Sequence, residues 1–360
     1  MRILYGVQGT GNGHITRARA MARELAKLDV KVDYLFSGRA PGKFFDMEVF
    51  GDYQVREGVT FNARDGRVRP LATVAATKPW QFFKDLRELD LRPYDLVVTD
   101  FEPLTAWAAK LAKKKSIGLG HQYAFHHDIP QHRGSPLQRA ILLYFAPASI
   151  VFGLHWHHFG QPILPPIAPV EPGIEPPLQN SCLVYLPFES KDRIRALLQR
   201  FPAYQFNVYH PESLPGREGH IHWHLPSRSG FQRDLQRTEG VICNAGFELS
   251  SEVLQLGRKL LVKPVRGQSE QYSNALALNL LGYGHVMRSL DADAVRRWLE
   301  SAKATRIRYP NVAEAVARWL VGGAEEPTRC LVESLWAATE LPQGTAASRL
   351  EYSEGSLSDR

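Results

Sequence analysis

Residues 240–274, GVICNAGFELSSEVLQLGRKLLVKPVRGQSEQYSN, carry the clearest structural unit of the chain. Val241–Asn244 reads as an apolar strand, Ala245 and Gly246 as a turn, and Phe247–Leu256 as a helix. Leu260–Val265 reads as a second strand, followed by a polar loop that opens another helix. This is one βαβ turn of a parallel sheet with polar residues at the carboxyl ends of both strands, the edge where open α/β sheets bind ligands. A helix starting just after Gly246 presents unpaired N–H groups to an anion. Glu252 follows within two helical turns, and Glu270 and Gln271 stand at the tip of the second strand. A phosphate cradle, a carboxylate able to grip a diol and an acid–amide pair on one edge point to a nucleotide-sugar pocket.

The remaining chain sets this unit in a larger frame. A length of 360 residues favours two cores over one. Arg2–Val7, Val30–Phe36, Tyr53–Phe61, Tyr94–Thr99 and Ser116–Leu119 read as strands, with helices over Ile15–Leu28, Pro79–Leu89 and Pro103–Lys114. Residues 161–177, QPILPPIAPVEPGIEPP, are too proline-rich for a helix or a central strand and read as a stiff connector. Alternation then resumes with strands at Cys182–Leu186, Gln205–Tyr209 and Ile221–Leu225 and helices at Ser190–Arg200 and Gly230–Gln236. Further helices are expected over Asp291–Ala302, Val312–Leu320 and Thr328–Thr339. The expected organisation is an α/β Rossmann-like domain over 1–160, a linker over 161–180 and a second such domain over 181–325. A helix over 326–340 would pack back on the first domain, and a small, polar tail over 341–360 would be disordered.

Composition narrows the partners. The net charge of +7 is compatible with nucleic acid, an anionic membrane surface or anionic small ligands. Basic residues are scattered, apart from Lys113–Lys115 and arginines such as Arg67 and Arg69, and no nucleic-acid-reading motif accompanies them, so no nucleic acid partner is expected. Cys182, Cys243 and Cys330 stand far apart, as expected of a reducing compartment. MRILYGV enters a strand without a charged-then-apolar leader, so a cytoplasmic location is expected. The most apolar stretch, Ala140–Leu154, contains Pro147 and is shorter than the roughly 20 residues needed to span a bilayer.

The loop Gly9-Thr10-Gly11-Asn12-Gly13-His14 follows the first strand and opens a helix. Its spacing is neither the G-x-G-x-x-G of a dinucleotide fold nor a Walker loop ending in Gly-Lys-Ser/Thr. What remains is a loop whose backbone a ligand can approach, with an imidazole at the helix start. His14 is either a polar residue of a tight turn or a general base. Asp100, closing the strand from Tyr94, and Glu102 are the other base candidates; Asp100 either caps the helix from Pro103 or serves the chemistry. His121, His126, His127, His132, His155, His157 and His158 cluster near the connector, and His220, His222 and His224 alternate along one strand, but no acid or cysteine frame makes them a metal site.

With both loops in view, the chain resembles the GT-B glycosyltransferases, nucleotide-sugar enzymes of two Rossmann-like domains. Within them it is most similar to the family 28/1-like group of the lipid-linked N-acetylglucosaminyltransferase and the diacylglycerol galactosyltransferases. Gly13-His14 followed by Arg17 resembles that group's opening loop. Asn244-Ala245-Gly246-Phe247-Glu248-Leu249-Ser250-Ser251-Glu252 keeps the spacing of its His-Cys-Gly-Trp-Asn-Ser-x-x-Glu signature, continued by Gly257, Pro264, Gln268, Glu270-Gln271 and Asn274. Asn244, Glu248, Leu249 and Lys259 depart from it.

The resemblance implies an inverting transfer from a UDP-sugar to an unidentified hydroxyl acceptor that is lipid-linked, a polysaccharide or a small molecule, with no cofactor and no metal. Glu252 would hold the ribose and the Gly246 turn the diphosphate. Glu270 and Gln271 would contact the sugar, and His14 would be the base. The base of the nucleotide would lie against the Leu225–Phe231 loop. Gly11, Gly13, Asn244, Ala245, Phe247, Glu248, Ser251 and Gln268 complete the donor set, with Ser250 or Ser251 replacing the hydroxyl missing at Leu249 unless Ser251 faces the core. The segment His121–Ala148, with His127, Arg133, Arg139, Leu137, Ile141, Leu142 and Phe145, is either an ordinary core helix or a face for peripheral contact with an anionic membrane. A nucleotide-sugar binding protein without catalysis, and an epimerase or hydrolase on the same fold, are the alternatives.

Overall fold

The computed structural model describes residues 1–58, 79–132, 134–170 and 176–342, with the backbone of 63–64 and 67–68. Arg69, Arg133, the side chain of Arg67, and all but the first two residues of the 341–360 tail lie outside the described residues.

Two mostly parallel sheets form, one from each half of the chain. The first has six strands, β1 (Arg2–Gln8), β2 (Lys31–Ser37), β3 (Tyr53–Arg56), β4 (Leu96–Asp100), β5 (Ser116–Gly120) and β6 (Ile150–Gly153), in the order β3-β2-β1-β4-β5-β6. All its pairings are parallel. The second has β7 (Ser181–Tyr185), β8 (Gln205–Tyr209), β9 (Gly216–Glu218), β10 (Ile221–His224), β11 (Gly240–Asn244), β12 (Lys259–Lys263) and β13 (His285–Val286), in the order β9-β10-β8-β7-β11-β12-β13. Only the short edge strand β9 is antiparallel. With β9 set aside, each sheet runs third-second-first-fourth-fifth-sixth in chain order. The direction of winding therefore reverses beside β1 in one half and beside β7 in the other. That switch opens a crevice at the carboxyl ends of β1 and β4, and another at those of β7 and β11. This is the two-domain α/β architecture of the GT-B class.

The central strands are buried on both faces, which is why they read as unbroken apolar runs. Helices α1 (Asn12–Leu25), α2 (Pro79–Glu88), α3 (Pro103–Leu111) and α4 (Pro136–Tyr144) belong to the first half; α5 (Lys191–Leu198), α6 (Arg228–Arg237), α7 (Phe247–Leu256) and α8 (Ser269–Leu281) belong to the second. Then come α9 (Ala292–Ser301), α10 (Val312–Val321) and α11 (Thr328–Ala337). Helix α1 begins at Asn12, three residues before the expected Ile15, which places His14 inside its first turn. The third strand ends at Arg56, short of the expected Phe61, which lies outside the described residues.

Contacts from the C-terminal helices reach the first half. Helix α10 packs on α1. Lys115 Nζ donates to the carbonyls of Gly323 and Ala324, and Trp336 Nε1 to that of Ile163. In the proline-rich run, whose prolines are interleaved with aliphatic residues, Leu164 and Ile167 are buried in the core cluster that includes α10 and α11, and Ile163 in a smaller one with Phe125 and Ile129. Residues 171–175 of that run lie outside the described residues. Cys182 and Cys243 are buried free thiols, whereas Cys330 is exposed.

Helix α4 lies between the two expectations for its segment. None of its residues is fully buried: Leu137, Leu143 and Tyr144 are exposed, while Leu142 and the following Phe145 pack, partly buried, against the cluster around Tyr123, so the helix is a surface helix with one packed face. No helix among the described residues is long and apolar enough to cross a membrane.

Candidate active site

The second half contributes the turn after β11. Gly246 is the N-cap of α7 with an extended backbone (φ −77°, ψ 146°), and no side chain caps the helix. A Cβ placed on Gly246 would meet no atom within 4 Å, so there is free space beside the turn that opens α7. Asn244, in the place of the signature histidine, donates through Nδ2 to the Lys263 carbonyl. Leu249 leaves α7 without the signature's hydroxyl, and the neighbouring serines do not replace it. Ser250 Oγ and Ser251 Oγ donate to the carbonyls one turn back, of Gly246 and Phe247, and Ser251 Oγ also accepts from Trp156 Nε1. Both are fully buried, so the expected donor contact of Ser251 gives way to a core position. Phe247 is buried as well, its ring 3.9 Å from that of His121 and nearly parallel to it.

Glu252 is 4% exposed and accepts from Gln232 Nε2 at 3.1 Å. Burial pushes its carboxyl up to about 7; the Gln232 hydrogen bond opposes this and the Glu248 charge adds to it. Gln232 also lines a cleft of about 480 Å³ between the halves. Its walls are Arg19, Arg23, Asp46, Glu48 and Val49 on one side, and Arg228, Ser229 and Gln232 at the start of α6 on the other. Arg19 is lowered to about 10 by burial and by Arg228.

The first half contributes a charged cluster at the switch beside β1. His14 Nδ1 lies 2.7 Å from Asp100 Oδ1 at the end of β4. A carboxylate accepts, so Nδ1 carries the proton and Nε2 is left with the lone pair of the neutral ring. Arg17 Nε donates to Asp100 Oδ2 at 2.8 Å, Nη2 to Asp100 Oδ1, and Nη1 to Glu248 Oε1 across the cleft. Burial alone would raise Asp100, but Arg17 and His14 hold it below the usual carboxylate range. Burial alone would lower Arg17, and the two carboxylates outweigh it. A Cβ on Gly13 would come within 2.4 Å of Glu248 Oε2, so glycine there admits the carboxylate that reaches over from α7. Gly11 is the N-cap of α1, which no side chain caps either.

Glu102, the third base candidate, does not join this cluster. Its carboxylate caps α3, accepting from the Leu104 and Thr105 amides and the Thr105 hydroxyl, and also from Ser37 Oγ. Four donors hold it in the interior, so the capping role falls to Glu102 and not to the equally buried Asp100, which pairs with His14 and Arg17.

Further contacts join the halves near the expected donor residues. Gln122 Nε2 donates to Glu270 Oε1 at 3.2 Å, and His121 Nε2 lies 2.7 Å from Asn274 Oδ1. Gln138 Nε2 donates to the Gly267 carbonyl. Gln271 is turned inward and accepts from the Val265 amide, holding the loop after β12, while Gln268 is the half-buried N-cap residue of α8. Of the remaining histidines, His224 stacks on Tyr209 and His157 on His158. Among the described residues no group of three or more His, Cys, Asp or Glu side chains converges as a metal site.

The family model described as "Glycosyl transferase family 1" matches residues 1–135 and 161–302. The chain belongs to this family. No curated protein matches it. Among solved structures, it is similar to the glycosyltransferase SnogD from Streptomyces nogalater: 18% identity, TM-score 0.52, covering 94% of this chain and 99% of that one. MurG from Acinetobacter baumannii is 15% identical, with a TM-score of 0.52 over 89% of this chain and 99% of its own. LpCGTa, solved in complex with UDP, is 14% identical, with a TM-score of 0.55 over 93% and 98%. At these identities the likenesses concern the fold.

Proposed function

We propose that this chain is an inverting hexosyltransferase that moves a sugar from a UDP-sugar to a hydroxyl acceptor, with His14 as the base. The observation that carries the proposal is the His14–Asp100 pair, 2.7 Å apart and joined through Arg17 to Glu248, two residues past Gly246. Asp100 orients the ring and supports the imidazolium that forms. The acceptor's proton passes to Nε2 as its oxygen attacks the anomeric carbon. The bond to the diphosphate then breaks on the opposite face, which inverts the centre. The departing phosphate gains charge, and the unpaired N–H groups at the start of α7 meet it. Arg266 is exposed on the loop before α8 and within the donor half. Glu252 would hold the ribose, and the uracil would lie by the start of α6, where Arg228, Ser229 and Gln232 line the cleft. Glu270 would meet the sugar.

Differential scanning with UDP-, TDP- and GDP-sugars tests the donor. A ligand at 100 times its Kd adds about 2.7 kcal/mol to stability, a clear rise in Tm. Only the UDP-sugars should produce it, and a larger rise with TDP- or GDP-sugars would reject uridine. UDP release that needs an added acceptor separates the transferase from a hydrolase or epimerase, and no release at all would favour a binding protein.

The exposed Leu137, Leu143 and Tyr144 of α4 support peripheral attachment at the inner face of a membrane, in keeping with a lipid-linked acceptor. Sedimentation with vesicles containing anionic lipid checks this. The protein should pellet with them and Leu137→Glu/Tyr144→Glu should remain in the supernatant; wild type left in the supernatant would rule attachment out.

A further inference from the structure

The proposed reaction gives Arg17 no task, although it is the most deeply buried cation of the site at 1% exposure. Its guanidinium spans two carboxylates from opposite halves, Asp100 on β4 and Glu248 on α7. It also bears on the base directly. Nη2 contacts the same Asp100 oxygen that receives His14 Nδ1, and lies 3.1 Å from Nδ1 itself. With the Nδ1 proton directed at Asp100, that approach sets two N–H groups against each other and opposes a positive charge on the ring. Taken alone, Arg17 and Asp100 sum to zero charge. Glu248 makes the sum −1, and Glu248 arrives only with the other half of the molecule.

We propose that Arg17 is a positioning residue that makes the strength of the His14 base depend on closure of the two halves. In the closed arrangement Glu248 draws the guanidinium's charge toward α7, and Asp100 is free to support a protonated ring. With the halves apart, Arg17 turns wholly to Asp100 and the base is weakened. Proton abstraction is thereby tied to the conformation in which the donor turn at Gly246 faces the acceptor side. The inference rests on the proposed His14–Asp100 pair. One further carboxyl bears on the cluster: Glu252, one turn along α7 and pushed up to about 7, interacts with Glu248. Tyr5 on β1 and Tyr123 in the 3-10 segment His121–His126 are both raised by burial and stay neutral, and Glu102 is held by its own donors at the start of α3.

The test is a pH titration of histidine-labelled full-length protein by NMR, with the His14 ring resonance assigned by its loss in His14→Gln. Asp100→Asn should move the midpoint of that resonance to lower pH; an unmoved midpoint would overturn the pair and this inference with it. Glu248→Gln should lower the midpoint by about one pH unit in the otherwise native protein. In an Arg17→Met background the same substitution should have less than half that effect, since no guanidinium remains to be redistributed. Equal shifts in the two backgrounds would mean that Glu248 acts on His14 through space alone, and would overturn the role of Arg17 while leaving the pair intact. If Arg17→Met does not fold, Arg17→Lys serves the same cycle, because lysine keeps the charge but lacks the fork that reaches both carboxylates.

Discussion

Replacing His14 with alanine will lower the transfer rate by about 10³-fold, in the range of a lost general base, while leaving UDP affinity unchanged. The separation follows from geometry. His14 is bound to Asp100 at the edge of the first sheet, whereas Gly246, Glu252 and the start of α6, proposed above to hold the nucleotide, belong to the second half. Single-turnover transfer and UDP calorimetry on the same protein would check both halves of the statement. A transfer rate within tenfold of wild type would remove His14 from the chemistry. Asp100→Asn should lose comparable activity and also melt at a lower temperature. Asp100 accepts two hydrogen bonds from the buried Arg17 guanidinium, and truncating one partner of a buried ion pair costs about 3–5 kcal/mol. The His14→Ala protein leaves the Arg17 pair in place and should keep its Tm, so loss of activity without loss of stability is the signature of the base.

The second large effect belongs to Glu252. If its carboxylate takes two hydrogen bonds from the ribose hydroxyls, Glu252→Ala should weaken UDP binding by about 10²-fold, since a hydrogen bond to a charged group contributes about 1.5–3 kcal/mol. The raised carboxyl adds a pH dependence with a definite sign. Free of ligand, the folded protein holds this proton more tightly than the unfolded chain, with the group pushed up to about 7 from its ordinary 4.5. The stability it lends is full below about pH 4.5 and is lost as the pH rises to about 7. Hydroxyl donors favour the ionised form, so UDP binding should tighten as pH rises from about 6 to 8, with protons released to the buffer on binding. Calorimetry near pH 6.5 in two buffers of different ionisation heat measures that release. Glu252→Gln should bind weakly and release none; a pH-independent wild type would mean that the carboxylate does not meet the ribose.

The architecture was legible because each parallel strand is buried on both faces and must be apolar throughout, and because glycine turns mark its ligand edge. Asn244–Glu252 carries its spacing openly, since turn, helix N-terminus and Glu252 are neighbours along the chain. His14 was legible for the same local reason. Glu102 and Asp100 were not separable, because both precede the same helix, and which of them caps it depends on where the strand ends and which oxygen reaches the Thr105 amide. Ser251 was equally ambiguous: the helical phase that buries it is set by Trp156, which is 95 residues away in the chain.

Strand rhythm and two glycine-bearing loops sufficed for two α/β domains with a ligand edge at the Gly246 turn, and the signature spacing sufficed for the resemblance to the GT-B class, because these are properties of contiguous segments. The cleft's electrostatics are of another kind. Arg17 meets a carboxylate 83 residues away and another 231 residues away, and Gln122 reaches Glu270 over 148. No spacing rule connects such positions. Arg17 shares a helix face with His14, three residues on, which marks it as a neighbour but not as the link between the halves. That link exists only once both sheets are wound and their switch points face each other, because an ion pair is defined by distance in space and a single chain offers no measure of it.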